Sequence, residues 1–526
     1  MWCSEKNVSE PLPTTLEVLQ HLKLAERQRY TMALEVRDQE IDRLSAIIKE
    51  LQRHRFGRRS EQLDPDQLAL ALEEVEQTLA ANEAATEKSQ AATPDKPPRR
   101  RQINRGALPE HLPREEVVLD LADKSCACCG GLKVCIGEDV SERLDEVPAQ
   151  FKVIVTRRPK YACRACHGEV AQAPAPERLI ENGLPTEAVV AQVIVAKYAD
   201  HLPLYRQAQI YARQGIALDR STLADWVGRA AFELVPVHAR LLEQLRSSTK
   251  LFADETVVPV LDPGRGRTRK GQLWAYARDD RPWAGSDPPA VAYVYAPDRK
   301  HVRPGQHLVG FTGILQVDGY GAYGELAAAG AVELAFCWAH VRRKFYDIQA
   351  GSPAPIAGEA LARIAGLYAV EADIRGAPAE QRRRVRQARS KPILDALKPW
   401  LERQLTLVSG KSTLAGAIRY ALSRWQGLSR FLDEGCVEID SNVVERAIRP
   451  ITLGRKNHLF AGSDGGGRHW AVLASLIATC KMNDVDPNAY LSDVLARIVA
   501  RHPMSRIDEL LPFAYIKPKA QQLAAA

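Results

Sequence analysis

The chain has 526 residues, a formal net charge of +7, and 45% hydrophobic and 26% charged residues. That length holds several domains and a large core, and the mild positive charge permits a polyanionic partner without requiring one. No apolar run approaches membrane-spanning length and the stretch MWCSEKNVSEPLPTTLEVL has no signal-peptide core, so the expectation is a cytoplasmic protein with no membrane partner.

Residues 1–60 are expected to form an N-terminal helix or coiled coil. Leu34, Ile41 and Ile48 recur at heptad spacing and Leu44 and Leu51 fall three residues after Ile41 and Ile48, which makes an a/d seam. Such a seam would join subunits into a homo-oligomer; a helix packed on its own core is the alternative for so short a run. Residues 61–110 read as a further helix followed by a polar, Pro-containing linker with Arg99, Arg100 and Arg101. That run, Arg342-Arg343-Lys344, Arg382-Arg383-Arg384 and Arg455-Lys456 each read, taken singly, as solvated surface.

Residues 111–180 carry two C-x-x-C pairs, Cys126/Cys129 in CACCGG and Cys163/Cys166 in YACRACHG. In a reducing compartment, two such knuckles supply four thiolates to one structural Zn²⁺. Cys128 could replace Cys129, and Cys135 is read as a bystander. A redox dithiol would need only one pair, at the start of a helix.

Residues 181–247 read as helical. The stretch GIALDRSTLADWV predicts a short helix over 220–229, capped by Asp219 or Ser221. With Arg220, Ser221 and Thr222 at its start, it is a candidate for a DNA major groove, as in a helix-turn-helix; a bundle member is the alternative.

From 248 the pattern changes to strands: 251–260, 271–279, 290–297, 313–320, then a strand running into a helix over 331–348. Residues 355–434 read as helical, and 436–500 as mostly helix interrupted by a turn at GSDGGG, 462–467. SGKST, 409–413, lacks the upstream glycine of a phosphate-binding loop and is rejected as a nucleotide site. The last residues, KPKAQQLAAA, read as disordered.

Three acids stand out. Asp254, beside Glu255 in the apolar run LFADETVVPV, raises the question of which cation meets two adjacent acids. Asp318 ends a strand in VDGYGAY. Glu445 lies in a helix with Arg446, Arg449, Arg455 and Lys456 nearby. Hard oxygen ligands of this kind suit Mg²⁺ or Mn²⁺, and two such ions serve in-line phosphoryl displacement. On spacing alone, caps or surface acids remain the plainer explanation.

The strings DET, LQVDGYGAY, CWAHVRRKF, IDSNVVERAIRP, LGRKNHLFAGS and ASLIATCKMNDVDPNAYL together resemble the insertion sequence 66 family of bacterial transposases. So do RHRFGRRSEQL, CACCGG, RPKYACRAC, KYADHLPLYRQ and STLADW, in order along nearly the whole chain. The resemblance implies a multidomain α+β protein. Its RNase H-like α/β catalytic core would span 248–475 with a helical insertion over about 350–435. A coiled coil, a zinc-ribbon-like module and a helical DNA-binding region would precede it, and a C-terminal helical segment and tail, 476–526, would follow.

It implies a DDE-type enzyme whose catalytic, metal-holding acids fall on Asp254, Asp318 and Glu445, with two Mg²⁺ or Mn²⁺ ions. Its partners would be element ends, target DNA and accessory proteins. Arg342, Arg343 and Lys344 are the expected DNA contacts at the core. The family usually has two asparagines where this chain has Ser441-Asn442; serine can still donate a hydrogen bond. Cys337 and His340, in CWAH, resemble a motif of several such families, with His340 orienting a phosphate, assisting the metal, or simply packing. A hydrolytic nuclease that never joins DNA, and a non-catalytic zinc DNA-binding protein, are the rival readings.

Overall fold

The computed structural model describes residues 151–161, 171–180, 183–262, 265, 267–328, 330, 332–351 and 353–515. The chain divides into two compact units, Met1–Ile154 and Val155–Ala526, and every element below belongs to the second. The heptad seam, the linker, Cys126, Cys129, Cys163, Cys166 and the C-terminal tail lie outside the described residues.

Five strands form one mixed sheet: β1 (Lys250–Asp262), β2 (Arg267–Arg278), β3 (Ala290–Ala296), β4 (Gly313–Val317) and β5 (Val332–Phe336). The spatial order is β3-β2-β1-β4-β5. The first three strands run antiparallel, while β4 pairs parallel with β1 and β5 parallel with β4. Each strand falls where alternating or continuous apolar residues predict it.

Helices cover both faces. On β1, Leu251 and Ala253 join one apolar cluster with the helices α1 (Glu187–Tyr198) and α3 (Arg220–Arg246). Phe252, Val258 and Val260 join another, with Val444 and Ile448 of α11 (Asn442–His458) and Trp470 of α12 (Asp464–Met482). This split follows the two-residue period of a strand. Strand β3 lies at the sheet edge, and α12 covers it: Ser475 Oγ accepts the Tyr293 N–H at 2.8 Å and Thr479 Oγ1 the Val291 N–H at 3.1 Å. An edge satisfied in this way offers no template for another strand.

Two local expectations change. The short helix expected at 220–229 is the first part of α3, which runs on through Pro236 to Arg246. Its buried face, including Leu223, Trp226, Leu234 and Leu241, packs into the core. Asp219 stands at its N-cap without a side-chain capping bond. GSDGGG is only half a turn: Ser463 Oγ accepts the Gly466 N–H at 3.1 Å, and Asp464 to Gly467 form the first turn of α12. Glycine is required at 467, where a Cβ would meet the Tyr295 ring at 2.6 Å. Ser412 of SGKST is a helix cap, its Oγ accepting the Ala415 N–H at 3.1 Å.

Between β5 and α11 lies a helical insertion. After α6 (Trp338–Gly351) come α7 (Pro355–Asp373), α8 (Ala379–Leu407), α9 (Thr413–Leu422) and α10 (Trp425–Ser429). It shares its apolar cluster with Trp338, Val341 and Phe345 of α6. The basic run 382–384 is not uniformly surface: Arg382 is buried, as is Arg386 one turn on. Arg386 makes two 2.7 Å bonds to the Glu371 carboxylate and donates to the Phe431 carbonyl at 2.9 Å. Arg382 donates to Glu438 at 2.7 Å and Glu371 at 3.2 Å. The clamp ties α7 and α8 to the segment leading into α11. Removing Arg386 leaves the buried Glu371 carboxylate with only the 3.2 Å bond from Arg382 and takes the donor from the Phe431 carbonyl, so Arg386→Met is expected to lower unfolding stability by about 3–5 kcal/mol; a denaturant midpoint equal to wild type would refute it.

Candidate active site

Asp254 and Glu255 are neighbours in sequence and opposites in space. Glu255 lies on the face of β1 that carries Ala253, where it is ion-paired with Arg299 and accepts the Tyr323 hydroxyl at 3.1 Å. Burial pushes its carboxyl up and Arg299 pulls it back. The Arg299 guanidinium in turn stacks 3.9 Å above the Tyr320 ring. Asp254 faces the other way, and among the described residues no basic side chain is ion-paired with it. Its Oδ1 accepts the Glu255 N–H at 2.8 Å. Burial raises its carboxyl to about 7; the Glu255 N–H opposes this, and repulsion from Glu255, Asp318 and Glu445 adds to it. The three predicted acids therefore influence one another electrostatically, while among the described residues their carboxylate oxygens do not all lie within 4.8 Å of one another.

The register explains two of them. Phe252 pairs with Gln316 in the parallel β1–β4 ladder and β4 ends at Val317, so the register brings Asp254, two residues past Phe252, and Asp318, in the turn after β4, to the same end of the sheet. Asp318 sits in a tight turn. Its Oδ1 accepts the Tyr320 N–H at 2.8 Å and its carbonyl accepts the Tyr420 hydroxyl at 2.7 Å. Gly319 has φ +97°, and a Cβ there would collide with Arg424. That arginine lies 4.0 Å over the Tyr420 ring and donates to the Gly319 carbonyl at 3.2 Å.

Glu445 arrives from the far end of the insertion. The segment 436–441 crosses beside β4, held by backbone contacts. Lys250 Nζ donates to the Cys436 carbonyl at 2.7 Å, and Ile439 O accepts the Trp338 N–H at 3.0 Å. Fully buried Gln316 donates through Nε2 to the Glu438 and Asp440 carbonyls at 2.7 and 3.0 Å and accepts the Glu438 N–H at 3.3 Å. The Ser441 N–H donates to Cys337 Sγ at 3.3 Å, and its hydroxyl to Glu445 Oε1 at 3.2 Å. Glu445 then lies in the first turn of α11. The serine at 441 thus supplies the donor expected of that position, while Asn442 Nδ2 donates to Asp440 at 2.8 Å.

An open pocket of about 240 Å³ lies beside Glu445, lined by Ala339, His340, Arg342, Arg343 and Tyr346. His340 Nδ1 is 3.8 Å from Glu445 Oε1. Burial pushes the Cys337 thiol up to about 11, so it is neutral at physiological pH. Arg342, Arg343 and Lys344 are exposed on α6, and Lys344 lies 4.5 Å over the Tyr420 ring. Arg446 and Arg449 are exposed on α11. Arg455 and Lys456 are not at the acids: at ~1.5 Å rise per residue they lie about 15 Å further along the helix, and Arg455 donates to the Val257 carbonyl. Arg220 and Ser221 are exposed and Thr222 half-buried, at the start of α3. Sequence reading missed Gln316, Arg299, Tyr420 and Arg424. Only Gln316 left a signal, a lone amide inside the strand GILQV.

The profile described as the transposase IS66 family matches residues 182–469, which include all three acids. The zinc-finger binding domain of transposase IS66 matches 123–167, which spans both C-x-x-C pairs. The transposase C of IS166 homeodomain matches 43–117 and the IS66 C-terminal element 475–513. Among curated proteins, the chain is 49% identical over 494 residues to the uncharacterised protein y4qI of Sinorhizobium fredii, covering 92% of this chain and 90% of the relative. It is 45% identical to y4jD of the same organism, over 92% of this chain and 96% of the relative. For y4hP the identity is 38%, over 92% and 90%. Among the described residues no helix is long and apolar enough to cross a membrane.

An acid with a raised folded pKa binds its proton more tightly folded than unfolded, so its ionisation costs stability as pH rises from about 4 to about 7. In EDTA at pH 7, Asp254→Asn is therefore expected to be more stable than wild type by roughly 2–4 kcal/mol. The gain should shrink on acidification and vanish below about pH 4. Thermal melts across pH check this; coincident melts at pH 7 would refute it.

Proposed function

The chain belongs to the IS66 family of transposases, and from that membership we propose that it is the DDE-type DNA transposase of an insertion sequence. It binds the element's ends, cleaves at the 3′ end and joins that end to target DNA. The observation that carries the reading is buried Asp254 within electrostatic reach of Asp318 and Glu445: burial raises its carboxyl, the charges of Glu255, Asp318 and Glu445 add to this, and among the described residues no basic side chain is ion-paired with it. The sheet order β3-β2-β1-β4-β5, with the first and second acids on or just after adjacent parallel strands, supports an RNase H-like core.

The donor set fits Mg²⁺ or Mn²⁺: three carboxylates, hard oxygens, and an unneutralised negative charge. When bound, two such ions activate the attacking oxygen and stabilise the leaving one. The chain's own residues do the positioning. Asp254 and Asp318 are fixed by the strand register, and Glu445 by Ser441 and the segment that Gln316 holds. Arg342, Arg343 and Lys344 of α6, with Arg446 and Arg449 of α11, offer cations for DNA phosphates beside the acids. His340 lies where it can orient one of those phosphates. Water attacks first and releases a 3′-hydroxyl; that hydroxyl then attacks the target strand, with no covalent protein–DNA intermediate. Cys126, Cys129, Cys163 and Cys166 hold a structural Zn²⁺. The start of α3, with Arg220, Ser221 and Thr222, contacts DNA. The N-terminal seam pairs subunits in the bacterial cytoplasm, and small companion proteins of the element take part.

The test is purified full-length protein with labelled DNA carrying the element's ends, companion proteins and Mg²⁺ or Mn²⁺. Cleavage and joining are expected, and both should disappear with EDTA and in Asp254→Ala, Asp318→Ala and Glu445→Ala. Cleavage without joining would replace the reading with a nuclease, and binding without chemistry with a DNA-binding protein. Replacing Arg342 and Arg343 with alanine should weaken binding alike on all sequences and lower the salt slope by about 1 per arginine; an unchanged slope would exclude them as phosphate contacts.

A further inference from the structure

His340 and Glu445 line the open pocket, and with Cys337, buried beside it, they make a second donor set different in chemistry from the three carboxylates. Cys337 follows the last residue of β5 and His340 lies in the first turn of α6, so the strand–helix junction brings a thiol and an imidazole to one side. Across from them stands Glu445. One ligand atom from each residue, Sγ, a ring nitrogen and a carboxylate oxygen, lies within 4.8 Å of the other two.

His340 Nδ1 is shielded from solvent and has no hydrogen-bond partner. Its nearest carboxylate oxygen, Glu445 Oε1 at 3.8 Å, is beyond hydrogen-bond reach. A buried ring nitrogen with no partner is costly. Zinc bonds of ~2.0–2.3 Å in tetrahedral geometry place ligand atoms about 3.3–3.8 Å apart, so a closure of about 1.5 Å or less completes the site.

The geometry points to a binding site for Zn²⁺, or a similarly borderline-soft divalent cation, formed by Cys337, His340 and Glu445. Sulfur and imidazole favour zinc over magnesium. On binding, the thiol proton is released to solvent, and thiolate and carboxylate together neutralise the ion's two charges. Three protein ligands leave a fourth position for water or a phosphate oxygen. Ser441 supports two of the ligands, donating its N–H to Cys337 Sγ and its hydroxyl to Glu445, as outer partners of zinc ligands do. The binding claim stands on geometry alone. Its consequence, that zinc draws Glu445 away from Asp254 and Asp318 and so opposes Mg²⁺-dependent chemistry, rests on the function proposed above.

The test counts metal rather than activity, so failure of the transposase reading leaves it readable. Full-length wild type, Cys337→Ala, His340→Gln and Asp254→Asn are equilibrated with buffered free Zn²⁺ and the bound zinc per chain is measured. Cys337→Ala and His340→Gln are each expected to hold one zinc fewer than wild type, and Asp254→Asn the same number. With Co²⁺, the wild-type minus His340→Gln difference spectrum should show thiolate-to-cobalt absorption. His340 is half-exposed, so His340→Gln decides the matter if Cys337→Ala fails to fold. A folded His340→Gln with the full wild-type zinc count overturns the site. Loss of the same zinc in Asp254→Asn also overturns it, by placing the ion on the three carboxylates.

Discussion

The side chain of Gln316 joins the strand that leads into Asp318 to the segment that begins the helix of Glu445. It is fully buried, so each polar atom needs a partner inside the protein. It finds them on one short stretch: the Glu438 carbonyl and N–H and the Asp440 carbonyl. Three bonds from one amide fix both the height and the direction of that stretch against β4. Everything downstream inherits the placement. Ser441 is brought to Cys337 and Glu445, and α11 is laid across the face of β1 that carries Asp254. The mutual position of the three acids is thus set largely by backbone register and one satisfied amide, not by contacts between the acids, which repel.

The helical insertion braces the same geometry from outside. Arg382 reaches Glu438, a carboxylate on the stretch that Gln316 holds, while Arg386 takes three carbonyls at 431–435 as well as Glu371. At its other end the insertion presses Tyr420 and Arg424 onto the Asp318–Gly319 turn. Two of the three acids are therefore held by residues of the inserted helices. Replacing a whole buried ion-pair network by apolar residues of similar volume costs little stability, and among the described residues Arg382 Nε has no partner. What the two arginines supply is a single arrangement of the segment between α10 and α11, where a purely apolar contact would allow sliding.

The strands were legible because their apolar patterns are local, and the acids because their surrounding strings resemble a family. What stayed hidden depends on partners far along the chain. Gln316 shows only as an odd amide in GILQV until Glu438 and Asp440 are placed beside it. Arg382 looks like one of three surface arginines until Glu371 and Glu438 meet it. Arg455 and Lys456 seemed close to Glu445 because they are close in sequence, yet a helix carries them away along its axis. The glycines of GSDGGG signal a turn by propensity, which Ser463 as a cap and the close packing of Tyr295 override. The extent of α3 was underestimated because its exposed start carries polar residues, while the apolar face that extends it is buried by the sheet and by α12.

The pair Asp254–Glu255 shows how one strand separates two electrostatic problems. Period two sends the acids to opposite faces. Glu255 meets Arg299 and becomes part of the fold, its charge neutralised at every pH where both are ionised. Among the described residues Asp254 has no basic side chain ion-paired with it, so burial and the charges of Glu255, Asp318 and Glu445 raise its carboxyl to about 7. A divalent cation at the carboxylates removes that penalty and gains their combined charge. Binding and folding are then linked, since whatever stabilises the ionised cluster stabilises the fold that assembles it. Glu445 sits at the junction of this hard-oxygen cluster and the softer corner of Cys337 and His340. One carboxylate oxygen cannot lie at bonding distance from cations in both places without movement of its helix turn. Were cations offered at both, the choice would depend on which ion is present and on Ser441, whose N–H bond to Cys337 and hydroxyl bond to Glu445 link the carboxylate to the cysteine side.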